Sequence, residues 1–122
     1  MYTIFMVDTA LKTQKCVPCE GGTPPLSETE VGGLLKQLTG WDVTADKKAI
    51  YKAFRMKDFL AAIEFMRHIA AVAEAEDHHP DLHLTGYRNL RIELSTHSIG
   101  GLSKNDFILA SKIEILPKEL KQ

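Results

Sequence analysis

Hydrophobic residues recur about every three to four positions in two segments of the chain, a spacing that predicts amphipathic helices. The first segment starts behind Ser27 and Glu30, which form a capping-box pattern. Leucines and a valine then repeat at helical spacing until Gly40, a residue type that commonly ends helices. We therefore expect a first helix over about residues 28–39.

The second helical segment follows Asp58, whose side chain can cap a helix N-terminus. Pro80 disfavours helical backbone at the residue before it, so the helix must end earlier. We expect this helix over about residues 58–75. Its predicted apolar stripe consists of Phe59, Ile63, Met66, Ala70 and Ala73.

Alternating hydrophobic and polar residues predict strands in two other regions. Residues 41–55 have β-branched and aromatic residues on both sides of a polar turn, which is typical of a β-hairpin. In residues 87–96, leucine and isoleucine alternate with charged residues, so one face of this strand should be buried. We expect residues 76–86, rich in His and Asp, to form a loop, and a last helix to run from a second capping-box-like start at Ser103 to Pro117.

The predicted order is helix, strand, strand, helix, one or more strands, and helix. Strands that pair without crossover helices indicate an α+β fold with helices on one face of an antiparallel sheet. A length of 122 residues suits a single domain. We expect residues 1–25 to form an N-terminal arm and residues 26–122 the domain.

The charge balance excludes several functions. Fifteen basic residues face sixteen acidic ones, for a net charge of −1. We therefore expect no direct nucleic-acid binding by phosphate neutralisation and no polybasic membrane anchor. No apolar run approaches the roughly 20 residues that span a bilayer. The N-terminal residues lack the basic region and long apolar stretch of a signal peptide, which predicts an intracellular, cytoplasmic protein.

Histidine is the one residue type with an unusual distribution, since all five lie between His68 and His97. Histidine is the side chain that titrates near neutral pH without a perturbed environment. The His78-His79-Pro80 run and His83 precede the predicted strand at 87–96, and His97 ends it. A strand of about ten residues spans about 33 Å, so these groups share a site only if the loop folds back or a neighbouring strand intervenes.

Three carboxylates lie within reach of the histidines: Glu74, Asp77 and Asp106. Carboxylates that orient an imidazole are a recurring requirement of acid–base sites. These residues also have purely structural explanations that compete with an acid–base site. Asp106 suits a helix cap, Glu74 suits an ordinary helix surface, and loop histidines are often only solvated. His68 lies off the predicted apolar stripe and is expected at the surface.

Two other kinds of site are weaker alternatives. Zinc binding is conceivable with Cys16, Cys19, His78, His79 and His83, but neither HExxH nor a second CxxC is present. We therefore expect no metal and regard the cysteine pair as more often incidental. A Ser–His–Asp hydrolase is weaker still, since the G-x-S-x-G turn is missing.

The spacing of several residues resembles the pterin-4a-carbinolamine dehydratase family. The matching positions are Glu74, His78-His79-Pro80, Tyr87, His97 and Asp106. Flanking segments, including Ser95-Thr96-His97 and Gly101-Leu102-Ser103, also resemble the family, and the likeness covers about residues 27–116. The chain departs from animal members at Leu82-His83, where those carry two aromatic residues.

The resemblance implies a two-layer α+β fold with a four-stranded antiparallel sheet and helices on one face. It implies a 4a-hydroxytetrahydrobiopterin dehydratase, a hydro-lyase that needs neither metal nor cofactor. Such an enzyme removes water from 4a-hydroxytetrahydropterin to give quinonoid dihydropterin, in the recycling of the cofactor used for aromatic amino-acid hydroxylation.

The resemblance also suggests residue roles. His78 and His97 would be the acid–base pair, with the assignment between them open, and His79 would hold the pterin ring. The remaining expected substrate-site residues are Glu74, Asp77, Pro80, Ser95, Thr96 and Asp106.

Family members form homodimers or homotetramers, which we expect here too. The alternative function is a non-enzymatic, oligomeric interaction module, because the animal protein also binds a homeodomain transcription factor. This second role does not transfer to the chain by any motif.

Overall fold

The computed structural model describes residues 10–19 and 21–122. Residues 1–9 of the predicted arm, and Glu20, lie outside the described residues. The elements of the described part are α1 (Glu28–Leu35), β1 (Asp42–Val43), β2 (Ile50–Arg55), α2 (Phe59–Glu76), β3 (Asp81–Thr85), β4 (Asn89–Leu94) and α3 (Lys104–Glu114), with short 3-10 helices at Leu11–Thr13 and His97–Ile99. No helix among these residues is long and apolar enough to cross a membrane.

The four strands form one antiparallel sheet in the order β1-β2-β4-β3. The predicted hairpin at residues 41–55 is confirmed, since β1 pairs with β2 through Val43 and Ile50. β4 lies in the middle and pairs with β2 on one side and β3 on the other. This central position explains its strict alternation, in which Leu90, Ile92 and Leu94 are fully buried.

The three helices cover one face of the sheet, so the predicted two-layer α+β architecture is confirmed. The hydrophobic core joins buried residues of β2 and β4 to residues such as Phe65 of α2 and Phe107 of α3. The predicted capping boxes form at both Ser27 and Ser103. The arm also reaches the core, because Leu11 is buried in it, while the division into arm and domain at residue 26 stays a prediction.

The predicted loop over residues 76–86 is wrong in its second half, where the structure has the edge strand β3. Only Leu82 and Leu84 carry the alternation there, and their polar neighbours obscured it. The strand predicted at 87–96 is correspondingly shorter. Tyr87 has a left-handed φ of 55° and belongs to the turn that joins β3 to β4.

The predicted apolar stripe of α2 overlaps the buried face only in part, through the buried Ala73 and the partly buried Met66. The buried residues of this helix are Ala61, Ala62, Phe65, Ile69 and Ala73. Phe59, Ile63 and Ala70 are exposed. Apolar residues occupy most sides of α2, and its small alanines allow close packing against the sheet, so periodicity alone selected a stripe that is displaced from the buried face. The first helix also ends earlier than expected, at Leu35, beyond which the backbone continues as turns.

Candidate active site

The unexpected strand β3 is what brings the distant histidines together. Because β3 runs antiparallel to β4, Asp81 at its start pairs with Glu93 near the end of β4. Residues 78–80, just before β3, therefore lie beside residues 95–97, just after β4. Because β3 runs back along β4, the His78-His79 pair and His97 do not lie a full strand length apart.

A cavity of about 230 Å³ opens at this point. Six of the predicted site residues line it: Asp77, His78, His79, Ser95, Thr96 and His97. The other lining residues are Val17, Pro18, Cys19, Ser98 and Asn105. All three histidines of the predicted acid–base and ring-holding set thus border one space.

The end of α2 sends two consecutive histidines in different directions. Asp77 caps the helix in left-handed backbone with a φ of 53°, and the His78 N–H still donates to the Ala73 carbonyl. The backbone then leaves the helix before Pro80. In this irregular segment, His78 and His79 reach different carboxylates, Asp106 and Glu74.

His78 bonds to a carboxylate inside the protein. Its Nε2 lies 2.6 Å from Oδ1 of Asp106, whose side chain has no exposed surface. The Thr96 hydroxyl donates to Oδ2 of Asp106 at 2.9 Å, and the Ser103 N–H donates to the same oxygen at 3.0 Å. Since carboxylate oxygens accept, the bond places a proton on Nε2 of His78. Asp106 therefore serves both as the predicted helix cap and as the partner of His78.

His79 and His97 lie nearer the solvent. Nε2 of His79 is 2.6 Å from Oε2 of Glu74, and both side chains are more than half exposed. Glu74 orients His79 from outside the cavity lining. His97 begins the short 3-10 helix behind β4 and is exposed at the cavity edge.

Pro80 of the predicted site and the two remaining histidines lie outside the cavity lining. Pro80 is half-buried between the histidine pair and β3. His83 is exposed on β3, opposite Arg91 of β4. His68 is half-buried on α2 and borders a different surface cavity with Lys57 and Phe65.

Sequence reasoning missed five of the lining residues. Asn105 and Ser98 flank predicted site residues, and their neighbours in the sequence were the available signal. Val17, Pro18 and Cys19 belong to the arm, which the family pattern does not include. The CxxC spacing was visible, but nothing in it indicated proximity to the histidines.

The cysteines do not join the histidines in a metal-binding group. Within residues 10–19 and 21–122, no three His, Cys, Asp or Glu side chains are placed to hold a metal ion. Burial, reinforced by the charge of Glu76 and a hydrogen bond to it, raises the pKa of the Cys16 thiol from 9.0 to about 12. Cys16 is therefore a neutral thiol at physiological pH.

A family model described as pterin 4 alpha carbinolamine dehydratase matches residues 24–116. The chain belongs to this family. The match includes the whole histidine cavity except its arm residues. The family name describes a hydro-lyase, an enzyme that eliminates water.

Named relatives of the pterin 4 alpha carbinolamine dehydratase family agree with this membership. The chain is 44% identical over 112 residues to pterin-4-alpha-carbinolamine dehydratase 2, mitochondrial, of Arabidopsis thaliana, of whose length it spans 60%. It is 50% identical over 109 residues to a putative pterin-4-alpha-carbinolamine dehydratase of Nitrosomonas europaea, with 88% of this chain and 94% of the relative covered.

Two solved structures have the same fold. A Brucella melitensis structure described as a transcriptional coactivator/pterin dehydratase superposes with a TM-score of 0.70 at 36% identity, over 74% of this chain and 95% of that one. A pterin dehydratase-like RuBisCO assembly factor of the alpha-carboxysome has a TM-score of 0.52 at 18% identity, over 62% and 86% of the chains. The second likeness concerns the fold alone.

Proposed function

We propose that the protein is a 4a-hydroxytetrahydrobiopterin dehydratase that acts by histidine acid–base catalysis. The observation that carries the proposal is the convergence of His78, His79 and His97 on one cavity, with His78 held by the buried Asp106. Membership of the dehydratase family supports the same reaction. The product would be a quinonoid dihydropterin, returned to the cofactor pool of aromatic amino-acid hydroxylation.

The reaction needs two proton transfers at neighbouring atoms. The C4a–O bond breaks as an acid protonates the departing hydroxyl, and a base takes the proton of N5, so that water leaves and a C=N bond forms. Neutral and protonated imidazoles coexist near neutral pH, so two histidines can serve as base and acid without metal or cofactor.

His78 is well arranged for such a transfer. Its bond to Asp106 fixes the ring and occupies Nε2, and none of the hydrogen bonds among the described residues involves Nδ1. Nδ1 is therefore the atom that exchanges a proton with the substrate. His97, exposed across the cavity, is the second partner, and either residue can be the acid.

The remaining predicted residues have supporting roles. His79 would hold the pterin ring, and Glu74 would orient His79. Asp77 and the Ser95-Thr96 segment would form hydrogen bonds with the polar edge of the ring. Pro80 would act indirectly, by keeping the backbone behind the histidine pair extended.

The test is dehydration of 4a-hydroxytetrahydrobiopterin by the purified protein. We expect a His78→Ala, His97→Ala double variant to lose at least about 10²-fold in kcat, the usual contribution of acid–base groups. His83→Ala, an exposed histidine outside the cavity, is the matched control and should keep the wild-type rate. A wild-type rate no higher than that of the double variant would refute the proposal.

The alternative function is a non-enzymatic interaction module on the same fold. It is favoured by the description of the Brucella relative as a transcriptional coactivator. A partner protein whose binding survives the loss of both His78 and His97, in a chain without dehydratase activity, would favour this alternative.

We also propose that the chain forms homodimers or homotetramers. Phe59, Leu60 and Ile63 expose 53%, 68% and 38% of their surface on one side of α2. β3 leaves an open sheet edge, and exposed apolar faces and open edges favour self-association. We expect sedimentation analysis to give at least a dimer and Leu60→Glu to lower the mass, whereas a monomeric wild type would contradict this. A cytoplasmic location stays a prediction.

A further inference from the structure

The arm segment, defined here as residues Cys16–Cys19, forms part of the histidine cavity. Val17, Pro18 and Cys19 line it together with residues of the α2–β3 loop and residues that follow β4. Cys16 packs against the hydrophobic core, whereas Val17 is 62% exposed and is not part of it. The position of Val17 at the cavity therefore calls for an explanation other than core packing.

One buried side chain fixes the arm segment to the domain. Asn105, only 5% exposed, accepts a hydrogen bond from the Val17 N–H at 2.9 Å and donates one to the Val17 carbonyl at 2.5 Å. The amide thus pairs with the backbone as a neighbouring strand would. Asn105 precedes Asp106 in α3, so the same helical turn holds both the arm and the partner of His78.

Two further hydrogen bonds attach the arm segment to elements next to the cavity. The Cys16 N–H donates to Oε1 of Glu76 at 2.8 Å, at the end of α2. The Ser98 hydroxyl donates to the Cys19 carbonyl at 3.1 Å, beside His97. The arm segment is consequently attached both to the end of α2 and to the segment that follows β4.

The arm segment supplies what the rest of the cavity lacks. Every lining residue from the domain has a polar or ionisable side chain, whereas Val17 and Pro18 are aliphatic. A pterin is a planar heteroaromatic ring, and sites for such ligands combine apolar surface with a few polar groups. In this cavity, the apolar surface comes from the arm.

We propose that the arm segment is one wall of the substrate site, with Val17 and Pro18 packing against the pterin ring and Asn105 as the positioning residue that holds them. The proposal rests on the proposed dehydratase function and extends it to residues outside the family's histidine pattern. Cys19, which also lines the cavity, would lie next to the bound pterin.

The kinetic test compares two asparagines. Asn105→Asp removes the donor to the Val17 carbonyl and should raise KM at least about tenfold while kcat changes less than about threefold, since ground-state contacts act mainly on KM. Asn89→Asp makes the same substitution at an exposed position and should leave both constants unchanged. Val17→Thr removes apolar surface without affecting the attachment and should raise KM roughly threefold to tenfold.

A chemical test does not depend on turnover. Biopterin, an oxidised pterin that cannot be dehydrated, should slow iodoacetamide labelling of Cys19 in the wild type, measured by peptide mass spectrometry. Protection should be weaker in Asn105→Asp. Because the Cys16 thiol stays protonated, with a pKa raised to about 12, labelling of the pair reports chiefly on Cys19.

The outcomes separate the two proposals. Protection of Cys19 by biopterin in an inactive wild type would refute the dehydratase function but support a pterin site walled by the arm. An active wild type with unprotected Cys19, and with KM unchanged in both Asn105→Asp and Val17→Thr, would overturn the arm proposal alone. Inactivity without protection would overturn both.

Discussion

Two histidines that border the cavity are each paired with a carboxylate, and the two pairs differ in burial rather than in geometry. Nε2 of His78 lies 2.6 Å from Asp106, and Nε2 of His79 lies 2.6 Å from Glu74. The side chains of the inner pair are 12% and 0% exposed, whereas those of the outer pair are 56% and 76% exposed. Consecutive histidines thus have the same kind of partner in opposite surroundings.

The difference shows what each pair can do. Asp106 is held by two further donors, from Thr96 and Ser103, so it cannot turn away from His78 without leaving buried groups unpaired. Glu74 has water as an alternative partner, and exposed ion pairs contribute little to stability. The inner pair therefore fixes a ring orientation, while the outer pair leaves His79 free to adjust to a ligand.

The largest effect is expected from Asp106→Asn. The amide keeps the volume, but only its oxygen can accept, so its NH2 group meets the Nε2–H of His78; the bond is either lost or kept by moving the imidazole proton to Nδ1, the wrong tautomer for the proposed transfer. We expect kcat to fall about 10²-fold or more, and the free energy of unfolding to fall by about 1–3 kcal/mol. Steady-state kinetics and urea unfolding measure the two effects.

Glu74→Gln is the matched change in the outer pair. We expect kcat to change less than about threefold, with no resolvable change in the free energy of unfolding, because the carboxylate is already solvated. Equal losses in the two variants would contradict the distinction between the inner and outer pairs.

The sequence was sufficient for the parts of the fold with strong periodicity. The hairpin, the central strand and both capping boxes follow from local patterns in which propensity and burial agree. The edge strand β3 did not follow, because an edge strand with two half-buried leucines has a weak alternation. The buried face of α2 did not follow either, since Phe59 and Ile63 fit a stripe as well as Phe65 and Ile69 do.

The site was predictable only as far as its pattern is local. The spacing from Glu74 to Asp106 identified the residues around the histidines. The link between the arm and Asn105 joins residues 88 positions apart. Because the Asn105 amide bonds the backbone of Val17 and not its side chain, the residue type at position 17 gives no sign of this contact. Such a contact requires the tertiary structure.

A third carboxylate, Glu76, extends the comparison to an intermediate case. Its side chain is 7% exposed and lies 3.4 Å from Lys112 and 3.8 Å from Lys15. Burial alone would raise the pKa of Glu76, but the Cys16 N–H and the two lysines outweigh it and hold the pKa below its ordinary 4.5. A lowered pKa means that the charged form stabilises the fold above that value and that this contribution is lost as the pH falls.

Glu76→Gln should therefore lower the free energy of unfolding by about 1 kcal/mol near neutral pH. The amide oxygen can still accept from Cys16, so the difference reports the charge rather than the attachment of the arm. In urea unfolding, the gap between wild type and variant should shrink as the pH is lowered from about 7 to about 3, because protonated Glu76 loses the same attraction to the lysines. A gap that stayed constant over this range would mean that shape, and not charge, makes Glu76 stabilising.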